Sequence, residues 1–125
     1  MSKLLQMLLV DPRKGAEPVL VEDDLEAIYK VLGCEIIDIV NRRIGDGRYS
    51  VICDDEGLYN DPTPSAISES GDRMFVGKLL IAAAEPNGDG DLMPLTDWEV
   101  QRLLTLVCPV RMCKQELMMI TNVGY

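Results

Sequence analysis

Four groups of residues have types and spacings that bear on chemistry. They are the carboxylates Asp23-Asp24 and Asp54-Asp55-Glu56, the alternation Asn87, Asp89, Asp91, the arginines Arg42, Arg43 and Arg48, and a polar stretch holding Tyr59, Asn60, Pro62, Thr63 and Ser65. Two neighbouring carboxylates divide acid and base roles when their surroundings push their pKa values apart. Here the first pair opens a helical pattern and the second opens a polar segment, so capping and turn formation account for both. A carboxylate-dependent enzyme is accordingly the weakest reading. The alternation at 87–91 resembles a calcium loop, but its sixth position is Leu92, where the turn needs glycine, and its twelfth is Trp98, where a bidentate glutamate belongs. No metal is expected there.

The chain contains no histidine. That removes the commonest general base, the serine–histidine and cysteine–histidine nucleophile pairs and every imidazole metal site. Ser65, Ser68 and Ser70 have no base to activate them, and the glycines at 45, 47, 88 and 90 precede no helix that could cradle a phosphate. No catalytic residue and no cofactor is expected. Binding chemistry is better supplied. Arg43 and Arg48 flank the turn signal Gly45-Asp46-Gly47 and are expected near each other across a hairpin, where guanidinium groups hold phosphate bidentately. Arg42 points to the opposite face by strand alternation. Tyr59, Asn60, Pro62, Thr63 and Ser65 add an aromatic face, amides and hydroxyls, a mixture suited to a nucleotide or a peptide. The expected site joins the two sets: Arg43 and Arg48 take an anionic group, and the polar segment takes the rest.

Charge narrows the partners. With 12 basic and 21 acidic residues the chain carries −9 and a pI near 4.4. It should repel nucleic-acid polymers and acidic membranes. An acidic interaction module, or a DNA mimic acting against restriction, is the rival to small-ligand binding; yet −9 over 125 residues is modest beside one charge per ~1.7 Å of duplex. Cys34, Cys53, Cys108 and Cys113 form no CxxC pair, which argues against a zinc site. The apolar run 4–10 is too short for a signal core and far short of the roughly 20 residues that span a bilayer. Reduced thiols in a cytoplasmic protein are expected.

The elements that must position these groups follow from periodicity. Residues 4–10 are an unbroken apolar run read as a buried strand, 11–15 a turn, and 18–22 a second strand pairing with the first. Asp23 and Glu26 have capping-box spacing; Leu25, Ile28, Tyr29 and Leu32 make one helical stripe, and Gly33 ends it. Residues 35–44 and 48–53 read as a hairpin, 54–72 as a long loop, and 74–84 as one buried strand. Thr96 and Glu99 form a capping box, with Leu95 and Val100 as a hydrophobic staple. Val100, Leu103, Leu104 and Val107 form the stripe of a helix that Pro109 should stop. Met7 and Met74 read as core. Met118 and Met119, in a bare tail strand within 109–125, read as a soft interface and predict self-association. The sum is a single α+β domain over residues 1–125, a mixed or antiparallel sheet with a helix across it in a β-grasp-like arrangement.

Order and spacing add a resemblance. Leu8-Leu9-Val10-Asp11-Pro12, Asp24-Leu25-Glu26-Ala27-Ile28 and Leu32-Gly33-Cys34-Glu35-Ile36 are similar to the opening of domain-of-unknown-function family 3846. Asp55-Glu56-Gly57-Leu58-Tyr59-Asn60-Asp61-Pro62, Val76-Gly77-Lys78-Leu79-Leu80-Ile81 and Leu95-Thr96-Asp97-Trp98-Glu99-Val100 continue it, over about residues 5–105. The resemblance implies small accessory proteins of bacteriophages and conjugative elements, often beside antirestriction functions and without an established enzyme activity. Taken together, the expectation is a non-enzymatic protein of a bacterial host's cytoplasm. It would counter defence by sequestering a small phosphorylated, nucleotide-type signal or by blocking a host protein.

Overall fold

The first apolar run becomes β1 (Leu4–Asp11), and a tight turn folds it back on β2 (Gly15–Glu22) with Leu4 opposite Glu22 and Asp11 opposite Gly15. The structure, a computed structural model, describes residues 3–84, 92–112 and 114–125. In the first sheet β1 also pairs with β7 (Leu79–Ala84), which pairs on its other side with β4 (Gly47–Asp54); β3 (Ile37–Ile44) lies beyond β4. Two short strands complete it: β11 (Val123–Gly124) on β3 and β8 (Leu92–Met93) on β7. All these pairings are antiparallel.

A second sheet runs in the order β6 (Arg73–Val76), β5 (Pro64–Ile67), β10 (Gln115–Ile120), β9 (Val107–Met112), with β5 parallel to β10. The first sheet is therefore covered on both faces. On one, α1 (Leu25–Leu32) lays Ile28 and Leu32 over Leu5, Met7, Val21, Ile52, Leu80 and Ala82. On the other, the second sheet and α3 (Asp97–Leu104) enclose Leu8, Val10, Val51, Leu79 and Ile81 with Ala66, Val100, Leu103 and Ile120. Alternate residues of β1 and β7 thus enter two different cores. Only a strand buried on both sides reads as an unbroken apolar run, and each such side chain contributes about 1.5–3 kcal/mol on burial.

Several expectations change. The helix α1 is capped by Asp24, whose carboxylate accepts the Glu26 amide, rather than by Asp23; the Asp23 amide instead meets the Lys3 carbonyl at 2.8 Å. Gly33 does end α1, at φ +70°. The stretch 54–72 is not one loop: it holds α2 (Gly57–Asn60) and β5. The run 74–84 is two strands in different sheets, because Gly77 at φ +73° turns the chain from β6 to β7. The Thr96–Glu99 capping box is present in full, but Pro109 does not stop α3. It stands inside β9 opposite Met118, as an edge strand permits. Finally, β10 is an inner strand, between β5 and β9, and Met119 is fully buried while Met118 is half-buried. The tail is not a bare edge, so the methionine argument for self-association fails. The acidic alternation Asn87, Asp89, Asp91 and Cys113 lie outside the described residues.

Candidate functional site

The β3–β4 hairpin has two differently built ends. At its open end Asp54 finishes β4, and its carboxylate accepts the Glu56 amide and the Asn60 side-chain amide, both at 2.9 Å. Those bonds fold α2 back onto the strand. Gly57 is buried against β6: a Cβ there would lie 3.0 Å from Val76 Cγ2. At the far end of α2 the Asp61 carboxylate receives both Arg13 guanidinium nitrogens, at 2.8 and 2.9 Å, and Arg13 also donates to Thr63 Oγ1 at 2.7 Å. Arg13 comes from the β1–β2 turn, where its amide donates to Asp11 Oδ1 at 3.0 Å. The Arg13 hydrogen bonds hold the Asp61 carboxyl well below the usual carboxylate range, against a smaller opposing effect of burial. Clamped at both ends, α2 turns Leu58 and Tyr59 to solvent, 75% and 89% exposed.

Beneath α2 lies a cleft of about 450 Å³. Leu58, Pro62, Pro64, Met74, Phe75 and Val76 give it apolar walls; Cys53, Asp54, Asp55 and Arg73 give it polar ones. On the other side of Asp54 a second, more polar cleft of about 500 Å³ is lined by residues including Cys34, Glu35, Glu56 and Asn60. Burial first, then Asp38, Asp55 and Asp54, push the Cys53 thiol up to about 11. Cys34 is raised too, by burial and then by Asp54, against a backbone hydrogen bond from Ile36. The Cys53 thiol is therefore protonated at neutral pH and a poor nucleophile there. Cys34, Cys53 and Cys108 are free and half-buried. Among the described residues, no group of three or more cysteines and carboxylates is arranged to hold a metal ion.

The turn end is built otherwise. Arg43 and Arg48 do stand opposite each other across the hairpin. Their donors, however, serve the chain itself: Arg43 Nη1 meets the Gly45 carbonyl at 2.9 Å, while Arg48 meets Asn41 Oδ1 at 3.1 Å and the Tyr125 carbonyl at 2.9 Å. Arg42 faces the other way, its guanidinium carbon 5.0 Å from the Tyr125 ring centre and 5.9 Å from that of Phe75. Its Nε is buried without a hydrogen-bond partner. Arg102 of α3 pairs with Asp46 in the turn and stacks on Trp98.

The site expected from the sequence is thus divided. Strand alternation puts Arg43 and Arg48 on the opposite face of the hairpin from Cys53 in the cleft wall, so they and α2 do not share a ligand within one chain; Arg42 alone reaches the cleft, at Phe75. Pro62 lines the apolar cleft and Asn60 the polar one. Tyr59 points away into solvent, Thr63 is held by Arg13, and Ser65 is fully buried in β5 with its hydroxyl unpaired. Phe75 escaped the sequence reading because it fell inside an apparent core strand over 74–84, and Arg73 because it lay between that strand and the loop before it; the signal was Gly77, a strand-breaking residue in an apolar run.

Neither the curated proteins nor the solved structures give a match to the chain. A family model described as a domain of unknown function (DUF3846) matches residues 5–107, from β1 through α3 to the first residue of β9 and so across every residue of both clefts. The chain therefore belongs to the DUF3846 family.

Proposed function

We propose that the protein acts by binding rather than turnover, and that its ligand is a small nucleotide-type molecule held in the cleft beneath α2. The observation that carries this reading is the composition of that cleft: an aromatic ring and five other apolar residues, two carboxylates and one arginine around about 450 Å³. Small-molecule sites have that volume and that balance, mostly apolar with a few polar groups. A nucleobase offers a flat apolar face to Phe75 and Pro62 and exocyclic amines to Asp55, the Asp54 oxygens being taken by Glu56 and Asn60. Arg73, exposed at the rim, supplies the positive charge for a phosphate. The Cys53 thiol stays neutral and contributes packing.

On this reading the protein is a bacteriophage or mobile-element accessory factor that removes a defence signal from a bacterial host's cytoplasm. The α1-covered layer is β-grasp-like, with the second sheet added to provide one wall of the site. No helix among the described residues is long and apolar enough to cross a membrane. Blocking of a host protein is the second reading, favoured by the exposed Leu58 and Tyr59 on α2.

Calorimetry with cyclic nucleotides and ADP-ribose-type nucleotides tests the first. Saturable micromolar binding is expected. Phe75→Ala should weaken it about tenfold or more, since stacking on an aromatic ring is worth about 1–3 kcal/mol per base. Arg43→Ala should leave it unchanged. Affinity no tighter than millimolar across the set retires the nucleotide reading, and continuous conversion of a nucleotide retires the claim of binding without turnover.

A further inference from the structure

Sheet edges invite pairing, and most of those here are defended. Pro18 interrupts β2, Pro109 interrupts β9, and β6 is four residues long. The strand β3 has eight residues and no proline, and β11 covers only Ile44 and Arg43. Successive residues of an antiparallel strand turn their backbone polar groups alternately to one neighbour and the other. Ile36 gives its carbonyl to the Asp55 amide, on the β4 side, at 3.0 Å; Gly45 gives its amide to the Asn122 carbonyl, on the β11 side, also at 3.0 Å. Odd-numbered residues of β3 therefore turn their N–H and C=O outward. With Arg43 under β11, the outward groups of Ile37, Ile39 and Asn41 have no strand beside them among the described residues; the Asn41 carbonyl accepts from the Arg42 guanidinium at 3.0 Å instead.

We propose that this edge pairs with the same edge of a second copy of the chain, antiparallel, about a two-fold axis at Ile39. A symmetric ladder that uses all three positions, the Asn41 carbonyl exchanging Arg42 for the new strand, has one solution: Ile39 opposite Ile39, Ile37 opposite Asn41, and Asp38 opposite Val40. The charges select the same arrangement. The hairpin carries Arg42, Arg43 and Arg48 at its turn end and Glu35, Asp38 and Asp54 at its open end. Antiparallel two-fold pairing lays the cationic end of each copy along the acidic end of the other, whereas a parallel pairing would set like charges together. Ile36 and Ile39, 49% and 40% exposed, are covered in the process. Because Gly124 already occupies the place beside Arg43, the ladder stops at Ile37 and Asn41, and the cationic turn end of one copy approaches Glu35 of the other, at the rim of the polar cleft. Arginine and α2 segment, separate within one chain, then lie at a shared boundary. This inference is independent of the nucleotide reading.

Sedimentation and native mass spectrometry of the full chain should show twice the 13.9 kDa of one copy at micromolar concentration. Amide hydrogen exchange should slow at Ile37, Ile39 and Asn41 by roughly tenfold or more as concentration rises. Ile39→Pro deletes an amide that the chain's own ladder does not use, and Ile39→Lys sets two ammonium groups face to face on the axis. Both should give a monomer with an unchanged circular-dichroism spectrum. A monomer at every concentration, a dimer that survives Ile39→Lys, or a dimer whose three outward amides exchange freely overturns the proposal. The exchange measurement on the unaltered chain decides even where a variant fails to fold.

Discussion

At one end of the β3–β4 hairpin three arginines gather; at the other, two carboxylates flank a four-residue helix. The first looks more like an anion site in the sequence and is less like one in the structure. Arg43 and Arg48 spend hydrogen bonds on the Gly45, Asn41 and Tyr125 oxygens, and Arg42 is sandwiched between two rings. Those cations staple the hairpin turn and β11 to the sheet. At the open end Asp54 and Asp61 are also satisfied internally, but satisfying them props α2 above the second sheet and leaves a concave space. Clustered charge gives fields; a ligand site needs a hollow as well.

If α2 is the wall of that hollow, its closest approach to β6 is where the two ends of the hairpin differ most under mutation. Gly57→Val puts a branched side chain where even a Cβ would sit 3.0 Å from Val76 Cγ2. Overpacking of this kind costs about 1–3 kcal/mol, and denaturant unfolding should show it. The displaced helix should also lose the cleft, so nucleotide affinity falls with stability. Asp54→Ala comes next. It removes the acceptor of the Glu56 amide and the Asn60 side chain, a loss comparable to deleting a helix cap, about 1 kcal/mol. Equal stability in this variant would mean that α2 holds its place without the strand.

How far the sequence discloses the two ends follows from the range of the interactions. The hairpin, the Gly33 stop and the Thr96–Glu99 box depend on residues within a few positions, and all appear where the pattern puts them. The division of 74–84 between two sheets depends on what each half packs against, and only Gly77 hinted at it. Within 54–72 the strand β5 is short, and its place in a sheet comes from β10, some fifty residues on. Apolar alternation names a strand but not its sheet. For the same reason Ser65 looks like a polar loop residue and is a buried one, while Arg13, in the first turn, gives no sign that Asp61 is its partner.

That partnership predicts a pH signature peculiar to the open end. Asp61 is held below its unfolded value of about 3.9, with Arg13 as the main cause. A carboxyl lowered in the folded state stabilises fully above its unfolded pKa and loses that contribution as pH falls through the folded one. Its share of stability is thus complete at neutrality and fades below about pH 4. The pair is partly solvated, with the Arg13 side chain 56% exposed, so Arg13→Ala should cost no more than about 1 kcal/mol at pH 7. The difference between variant and parent should shrink toward zero in acid. A difference that grows below pH 4 would contradict the assignment.

The smallest effect is expected at the turn end. Arg48→Ala deletes two hydrogen bonds, to Asn41 and to the last residue of the chain, both exposed and screened by solvent. Exposed contacts of this kind are worth about 0.2–1 kcal/mol, so the melting temperature should move by only a few degrees. What should change is local: faster amide exchange at Gly45, whose bond to Asn122 carries β11. Nucleotide affinity should be untouched, because strand alternation puts Arg48 on the opposite face of β4 from Cys53, which lines the cleft. If Arg48→Ala weakened the ligand in a monomer as much as Phe75→Ala does, the turn end would be the site and the staple reading would fall. If it did so only in a dimer, the second copy's arginine would be the one that matters.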